Sequence, residues 1–135
     1  MFILVLALQK YGVTALMLDF LPVSDSVSAE ICLFGVSSFI MANLINNIPM
    51  SVLYSSLISG ISGSAAYVPA LFSAVIGSNL GAFFTPIGAL AGIMWMSQLK
   101  KHNVRFSFAG FVRYGACIAI PTVVAALIFT SFIFR

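Results

Sequence analysis

Between Ile31 and Leu99 the chain contains no Asp, Glu, Lys, Arg or His. An uninterrupted stretch of that kind is what a bilayer selects, because a charge at the centre of a membrane helix costs about 2.5–3.5 kcal/mol even on the mildest scale. Two polar clusters nevertheless interrupt it. The first is Asn43-Leu44-Ile45-Asn46-Asn47-Ile48-Pro49, and the second runs from Gly77-Ser78-Asn79 through Gly81 to Thr85-Pro86-Ile87-Gly88. Amides, hydroxyls, glycines and prolines gathered at membrane depth are the materials of a site for a small polar solute or ion. The combination points to transport.

Composition narrows the class further. Charged residues make up 7% of the chain and hydrophobic ones 61%, where an ordinary soluble domain carries about 25% charged residues. So few charges cannot cover a soluble surface, and the chain reads as a multi-pass integral protein of the cell membrane. Its three acids, Asp19, Asp25 and Glu30, precede the uncharged run, whereas Lys100, Lys101, His102, Arg105 and Arg113 follow it. A basic loop between membrane segments marks the cytoplasmic side, which places the hairpin mouth, the acidic segment and the C-terminus outside. No interleaving of basic and aromatic residues suggests nucleic acid. Cys32 and Cys117 are expected to be small buried hydrophobes, with no spacing that implies a disulfide or metal pair. The N-terminus lacks the basic region and cleavage pattern of a secretory signal. An intramembrane protease would need a Ser–His or paired Asp arrangement inside the run, and none is there, so no enzyme activity and no catalytic residue are expected.

Segment lengths supply the architecture. Residues 2–8 are too short to span and look like the end of a helix, broken by Gln9-Lys10-Tyr11-Gly12. An interfacial segment then leads to Pro22, and Ser24-Asp25-Ser26 offers N-cap residues for the next apolar run. A full crossing needs about 20 apolar residues, yet the pieces 27–42, 50–59, 66–76 and 89–99 are all shorter. We expect an all-α multi-pass membrane fold. Residues 27–60 form a re-entrant hairpin with Asn43 to Pro49 at its tip. Residues 66–99 form a transmembrane helix unwound at Gly77 to Gly88, and 106–134 a last transmembrane helix kinked at Pro121. Pro49 and Pro86 are each expected where a new half-helix begins, a position at which the missing N–H costs nothing. Unwound backbone at that depth survives only against protein or a water-filled cavity, so the two breaks should face one another.

Half-helices that end in mid-membrane aim positive N-terminal ends and free C-terminal carbonyls at a common cavity. Pro49 and Pro86 would mark two such N-termini, and Asn43, Asn46, Asn47, Ser78, Asn79 and Thr85 would add side-chain donors and acceptors. None carries a formal charge, so the solute is neutral, or is neutralised by backbone dipoles and a co-bound ion. The competing reading of a single Asn is helix glue. For Gly77 with Gly81, and Gly88 with Gly92, it is close helix packing through small-xxx-small spacing. His102 is expected to be solvated, and Arg113 to snorkel to the interface.

At these motifs the sequence resembles the ion transporter superfamily of arsenite efflux permeases, sodium/proton antiporters and citrate and dicarboxylate carriers. The greatest likeness is to the arsenical pump membrane protein family. It is carried by Met41 to Pro49, which looks like that family's Asn-Asn-x-Pro hairpin tip. It continues through Ile76 to Trp95, similar to its second unwound helix, and the basic loop into Phe108, Phe111, Arg113, Tyr114 and Gly115. The resemblance implies two inverted repeats, each with a re-entrant hairpin and an unwound helix, working by an elevator-type motion, with residues 1–135 forming the C-terminal repeat only. It implies arsenite or antimonite efflux, with Asn46, Asn47, Ser78, Asn79 and Thr85 nearest the substrate or coupling ion. No cofactor is bound covalently, and a proton or sodium ion would couple transport. Its partners would be the lipid bilayer, an N-terminal repeat or second subunit, and a soluble arsenite-stimulated ATPase docked on the basic loop. Sodium/proton exchange, citrate or dicarboxylate carriage, and an inactive fragment needing a partner half are the alternatives. A water channel fits less well, since Asn47-Ile48-Pro49 has no second copy.

Overall fold

The computed structural model of the chain describes residues 3, 6, 7, 10–12 and 26–135. The expected interfacial segment at 13–22, together with Asp19, Ser24 and Asp25, lies outside the described residues. Ahead of it, Ile3, Leu6, Ala7 and Lys10 are helical, and the Tyr11 N–H donates to the Ala7 carbonyl at 2.9 Å. Gly12 follows with φ 75°, the left-handed conformation that ends a helix without a Cβ penalty.

Five helices follow: α1 (Val27–Ile45), α2 (Asn47–Ser59), α3 (Tyr67–Gly81), α4 (Leu90–Lys101) and α5 (Phe108–Ile133). There is no strand among the described residues. α1 and α5 are long and apolar enough to cross a membrane. With 19 and 26 residues they reach about 28 and 39 Å at 1.5 Å per residue.

The packing of α1 on α3 organises the rest. α1 offers Gly35, Ser38 and Ala42 along one face, and α3 answers with Ala70, Ala74, Gly77 and Gly81, all buried. A Cβ on Gly77 would collide with the Gly35 carbonyl and the Ser38 hydroxyl, and one on Gly81 would meet the Phe39 backbone. Where lipid removes the hydrophobic drive between helices, small residues that let backbones approach are what hold them together. The packing alternative for Gly77 and Gly81 is therefore realised. Gly88 and Gly92 differ: Gly92 lies against the Pro86 backbone, and Gly88 against the Asn43 side chain and the Gly81–Ala82 backbone.

α2 folds back over this pair. Met50, Leu53, Tyr54, Leu57 and Ile58 form one core with Phe34 and Ala42 of α1 and Ala70 and Ala74 of α3. The Tyr54 ring meets Phe34 edge-on at 6.4 Å. A second, smaller core joins Ile31 to Val123 and Leu127 of α5, with Leu127 filling the space that a side chain at Gly35 would take. On α5 only Ala119, Val123, Leu127 and Thr130 are buried, a single stripe at helical spacing. Ile118, Val124, Ile128, Phe129 and Phe132 point outward. So narrow a buried stripe on so apolar a helix suits a bilayer better than water. Ser107 caps it, its Oγ accepting the Gly110 N–H at 3.0 Å, and the helix continues through Pro121.

Three expectations need correction. Cys32 and Cys117 are exposed, on the outward faces of α1 and α5; a small apolar side chain gains nothing from leaving a lipid-facing surface. The unwound stretch, expected from Gly77, begins only after Gly81, because Gly77 and Gly81 pack as helical residues of α3 against α1. Glu30, in the first turn of α1, is completely buried. Pro86 begins no helix: α4 starts later, at Leu90, with Ala89 as its N-cap.

Candidate functional site

Two of the helix breaks within the uncharged run hold the polar clusters, and they are built differently. At the first, Asn46 alone separates α1 from α2, being at once the C-cap of one and the N-cap of the other, with φ 70° and ψ 152°. That combination is adopted mostly by glycine. In other residues it stores about 1–3 kcal/mol, asparagine being the most tolerant of positive φ. Its carbonyl already accepts the Met50 N–H at 3.2 Å, so α2 starts without a linker. Pro49 lies buried in the first turn of α2, where a proline forfeits no intrahelical bond.

The second break spans residues 82–89. Tight turns satisfy three of its N–H groups, Phe83 to Leu80 at 3.2 Å, Phe84 to Gly81 at 2.9 Å and Gly88 to Thr85 at 3.1 Å. The carbonyls of Phe83 and Phe84 lie against Gly115 of α5, where any side chain would meet them. Phe84 also packs on Phe39 of α1, with ring centroids 5.5 Å apart.

One hydrogen bond joins the two clusters. The Thr85 hydroxyl donates to Asn43 Oδ1 at 2.8 Å, and Thr85 Oγ1 accepts the Gly88 N–H at 3.3 Å. The Asn43 amide nitrogen donates to the Phe39 carbonyl at 2.9 Å. Asn43 is thus a latch that ties the last turn of α1 to the second break, and Gly88 is small because Asn43 stands against it. The remaining residues do not all converge. Ser78 is buried, with its hydroxyl on the Val75 carbonyl at 3.0 Å. Asn79 is exposed, its Nδ2 on the same carbonyl at 2.9 Å. Pro86 is buried within the second break. Asn46 and Asn47 are half-buried, and among the described residues their side chains make no hydrogen bond.

Residues beyond the sequence motifs join this region. Ser51, Tyr54 and Ser55 of α2 line, with Ser78, a cleft of about 40 Å³ between α2 and α3. The i, i+4 spacing of Ser51 and Ser55 after Pro49 was the available signal; Tyr54 gave none, since its ring reads as core. The site contains no formal charge, and polarity comes from amides, hydroxyls and helix ends. Among the described residues no group of three or more His, Cys, Asp or Glu could hold a metal ion.

Comparison with known proteins matches this arrangement to one family. The family model for the arsenical pump membrane protein matches residues 1–134. The chain is 27% identical over 130 residues to a putative arsenical pump membrane protein of Bacillus subtilis, covering 94% of this chain and 29% of that protein. It is likewise 27% identical over 130 residues to the arsenical pump membrane protein of Escherichia coli K12, with 94% and 30% covered. The P protein of mouse is similar at 29% identity over 106 residues, 76% of this chain and 13% of that protein. The chain therefore spans about 30% of the length of the arsenical pump relatives, and no solved structure matches it. The uncharged run with its two polar breaks, two helices long enough to span a bilayer and a family match running almost end to end lead to one conclusion: the chain is an integral membrane protein belonging to the arsenical pump membrane protein family.

Proposed function

We propose that the chain is the C-terminal repeat of an arsenite or antimonite efflux permease, with α1 and α2 a re-entrant hairpin and α3 and α4 the halves of an unwound transmembrane helix. The observation that best supports this is the Thr85–Asn43 hydrogen bond, which brings two charge-free breaks side by side. Arsenite near neutral pH is mainly an uncharged trihydroxide, and it needs hydrogen-bond partners rather than a counter-charge. Asn46 and Asn47, whose amides are uncommitted among the described residues, and the α2 N-terminus beside them supply such partners. Asn43 and Thr85 hold the breaks in register instead, Ser78 lines the cleft beside α2, and Asn79 is exposed. The N-terminal repeat would complete the cavity, a proton or sodium ion would drive export, and a soluble ATPase would dock on the basic loop. Replacing Asn47→Ala in the full-length protein is expected to abolish arsenite tolerance in cells while leaving membrane abundance within about twofold. Undiminished tolerance would sink the assignment.

Sodium/proton exchange is favoured by one observation: Glu30 is a carboxylate fully buried in the first turn of the apolar helix α1, the kind of group that carries protons across membranes. Sodium-dependent alkalinisation of vesicles that is lost in Glu30→Gln would decide for that activity. Its absence, with arsenite transport intact, would leave Glu30 at most a coupling group for arsenite.

A further inference from the structure

The basic loop between α4 and α5 folds into something more definite than a topogenic signal. Met96, Ser97, Lys100, Asn103, Val104, Arg105, Phe106 and Ser107 line an open cavity of about 900 Å³. Lys100 and Arg105 face it from opposite sides of the turn, and neither forms an ion pair among the described residues. Asn103 makes the turn possible, with φ 58°. The α5 N-terminus opens at the cavity edge, where Ser107 satisfies the Gly110 N–H and the two preceding amides remain outside the helical ladder. Both charged side chains that line the cavity are therefore positive, and they outweigh the partial negative end of α4 that also borders it.

Position determines what can enter. The cavity sits at the start of α5, a helix long and apolar enough to cross a membrane, and the end of such a helix meets the headgroups. Beside it Trp95 packs edge-on against Phe106 at 5.4 Å and Phe111 at 5.9 Å, and Phe106 stacks with Tyr114 at 6.3 Å. Such a Trp and Tyr cluster belongs to the boundary between headgroups and acyl chains. A ligand matching these features has an anionic head and an apolar tail.

We propose that this cavity binds the phosphodiester headgroup of an anionic phospholipid. Lys100 and Arg105 hold the phosphate oxygens, Ser97 and Asn103 hydrogen-bond the headgroup, and the acyl chains lie along the Trp95–Phe106–Tyr114 aromatics. Cations at a membrane surface attract anionic lipid individually, but a cavity makes two predictions that a diffuse charge does not. Lining cations should matter more than their neighbours, and lipid should bind better than free phosphate.

The test is thermal stability and native mass spectrometry of the delipidated, detergent-purified full-length protein, titrated with phosphatidylglycerol, phosphatidylcholine or inorganic phosphate. We expect phosphatidylglycerol to bind and stabilise, and phosphatidylcholine and phosphate to do so at least roughly tenfold more weakly. Lys100→Gln with Arg105→Gln should weaken phosphatidylglycerol binding by about tenfold or more, judged from the gain each cation makes near an anionic surface. Lys101→Gln, in the same loop but outside the cavity, should change it less than about twofold. All three side chains are exposed, so the variants are expected to fold. Equal stabilisation by phosphate would overturn the lipid assignment in favour of a free oxyanion site. Equal losses in Lys101→Gln and the double variant, or none in either, would overturn the cavity. Binding of an acidic soluble protein that phosphatidylglycerol fails to displace would make it a protein-docking face instead.

Discussion

The two polar interruptions of the uncharged run are built by opposite means. At Asn46 the chain reverses within one residue, and the cost falls on that residue's backbone, at φ 70° and ψ 152°. At 82–89 the chain takes a series of relaxed turns, and the cost falls on the surroundings, which must supply Asn43 as acceptor and Gly115 as a gap. A tight break is self-contained and strained; a long break is unstrained but dependent on its neighbours. The difference teaches why the first is recognisable as a short motif while the second extends over many residues.

Mutations can break that comparison in order of severity. The largest effect is expected at Gly77→Val, which forces α1 off α3 and so separates both breaks. Overpacking against backbone should cost about 3 kcal/mol or more, read as loss of the monodisperse peak in size-exclusion chromatography. Asn43→Ala should come next, costing about 1–3 kcal/mol because it leaves the half-buried Thr85 hydroxyl without its acceptor. Thr85→Val in the same background should cost little more, and near-additive losses in that double-mutant cycle would show that the latch carries no coupling. Asn46→Gly should have the smallest effect and the opposite sign, relieving strain by up to about 1 kcal/mol, while Asn46→Ala destabilises by about 1 kcal/mol or more. Thermal melts in detergent check both, and a stabilised Asn46→Ala would contradict the strained break.

Much of the helix pattern was legible because it rests on local backbone chemistry. Pro49 reads as the start of a half-helix and falls in the first turn of α2, and the last span, expected over 106–134, is the helix Phe108–Ile133. Spacing offered close packing as the alternative for Gly77 with Gly81 and for Gly88 with Gly92 alike, and only the first pair packs two helices together. Pro86 misled, because a proline suits several turn positions as well as a helix start, and α4 waits until Leu90. Within the site, polarity and the absence of charge were visible, but division of labour was not. Asn43 looks like Asn46 and Asn47 in sequence, yet its Oδ1 is committed to Thr85. Tyr54 carried no signal because a core aromatic and a cleft-lining hydroxyl share one residue type.

The sequence by itself determined the solvent and the places where the backbone departs from helix: a charge-free stretch suits only lipid, and glycine, asparagine and proline act on φ, ψ and N–H groups wherever they stand. Only the tertiary structure decided which groups meet. Asn43 reaches a hydroxyl 42 residues away, Gly35 and Gly77 bring two backbones into contact, Glu30 is enclosed and both cysteines are left outside. These outcomes depend on the rotation and separation of packed helices, which no local propensity encodes. They are set by the steric fit of small residues, summed over the whole length of the α1–α3 contact.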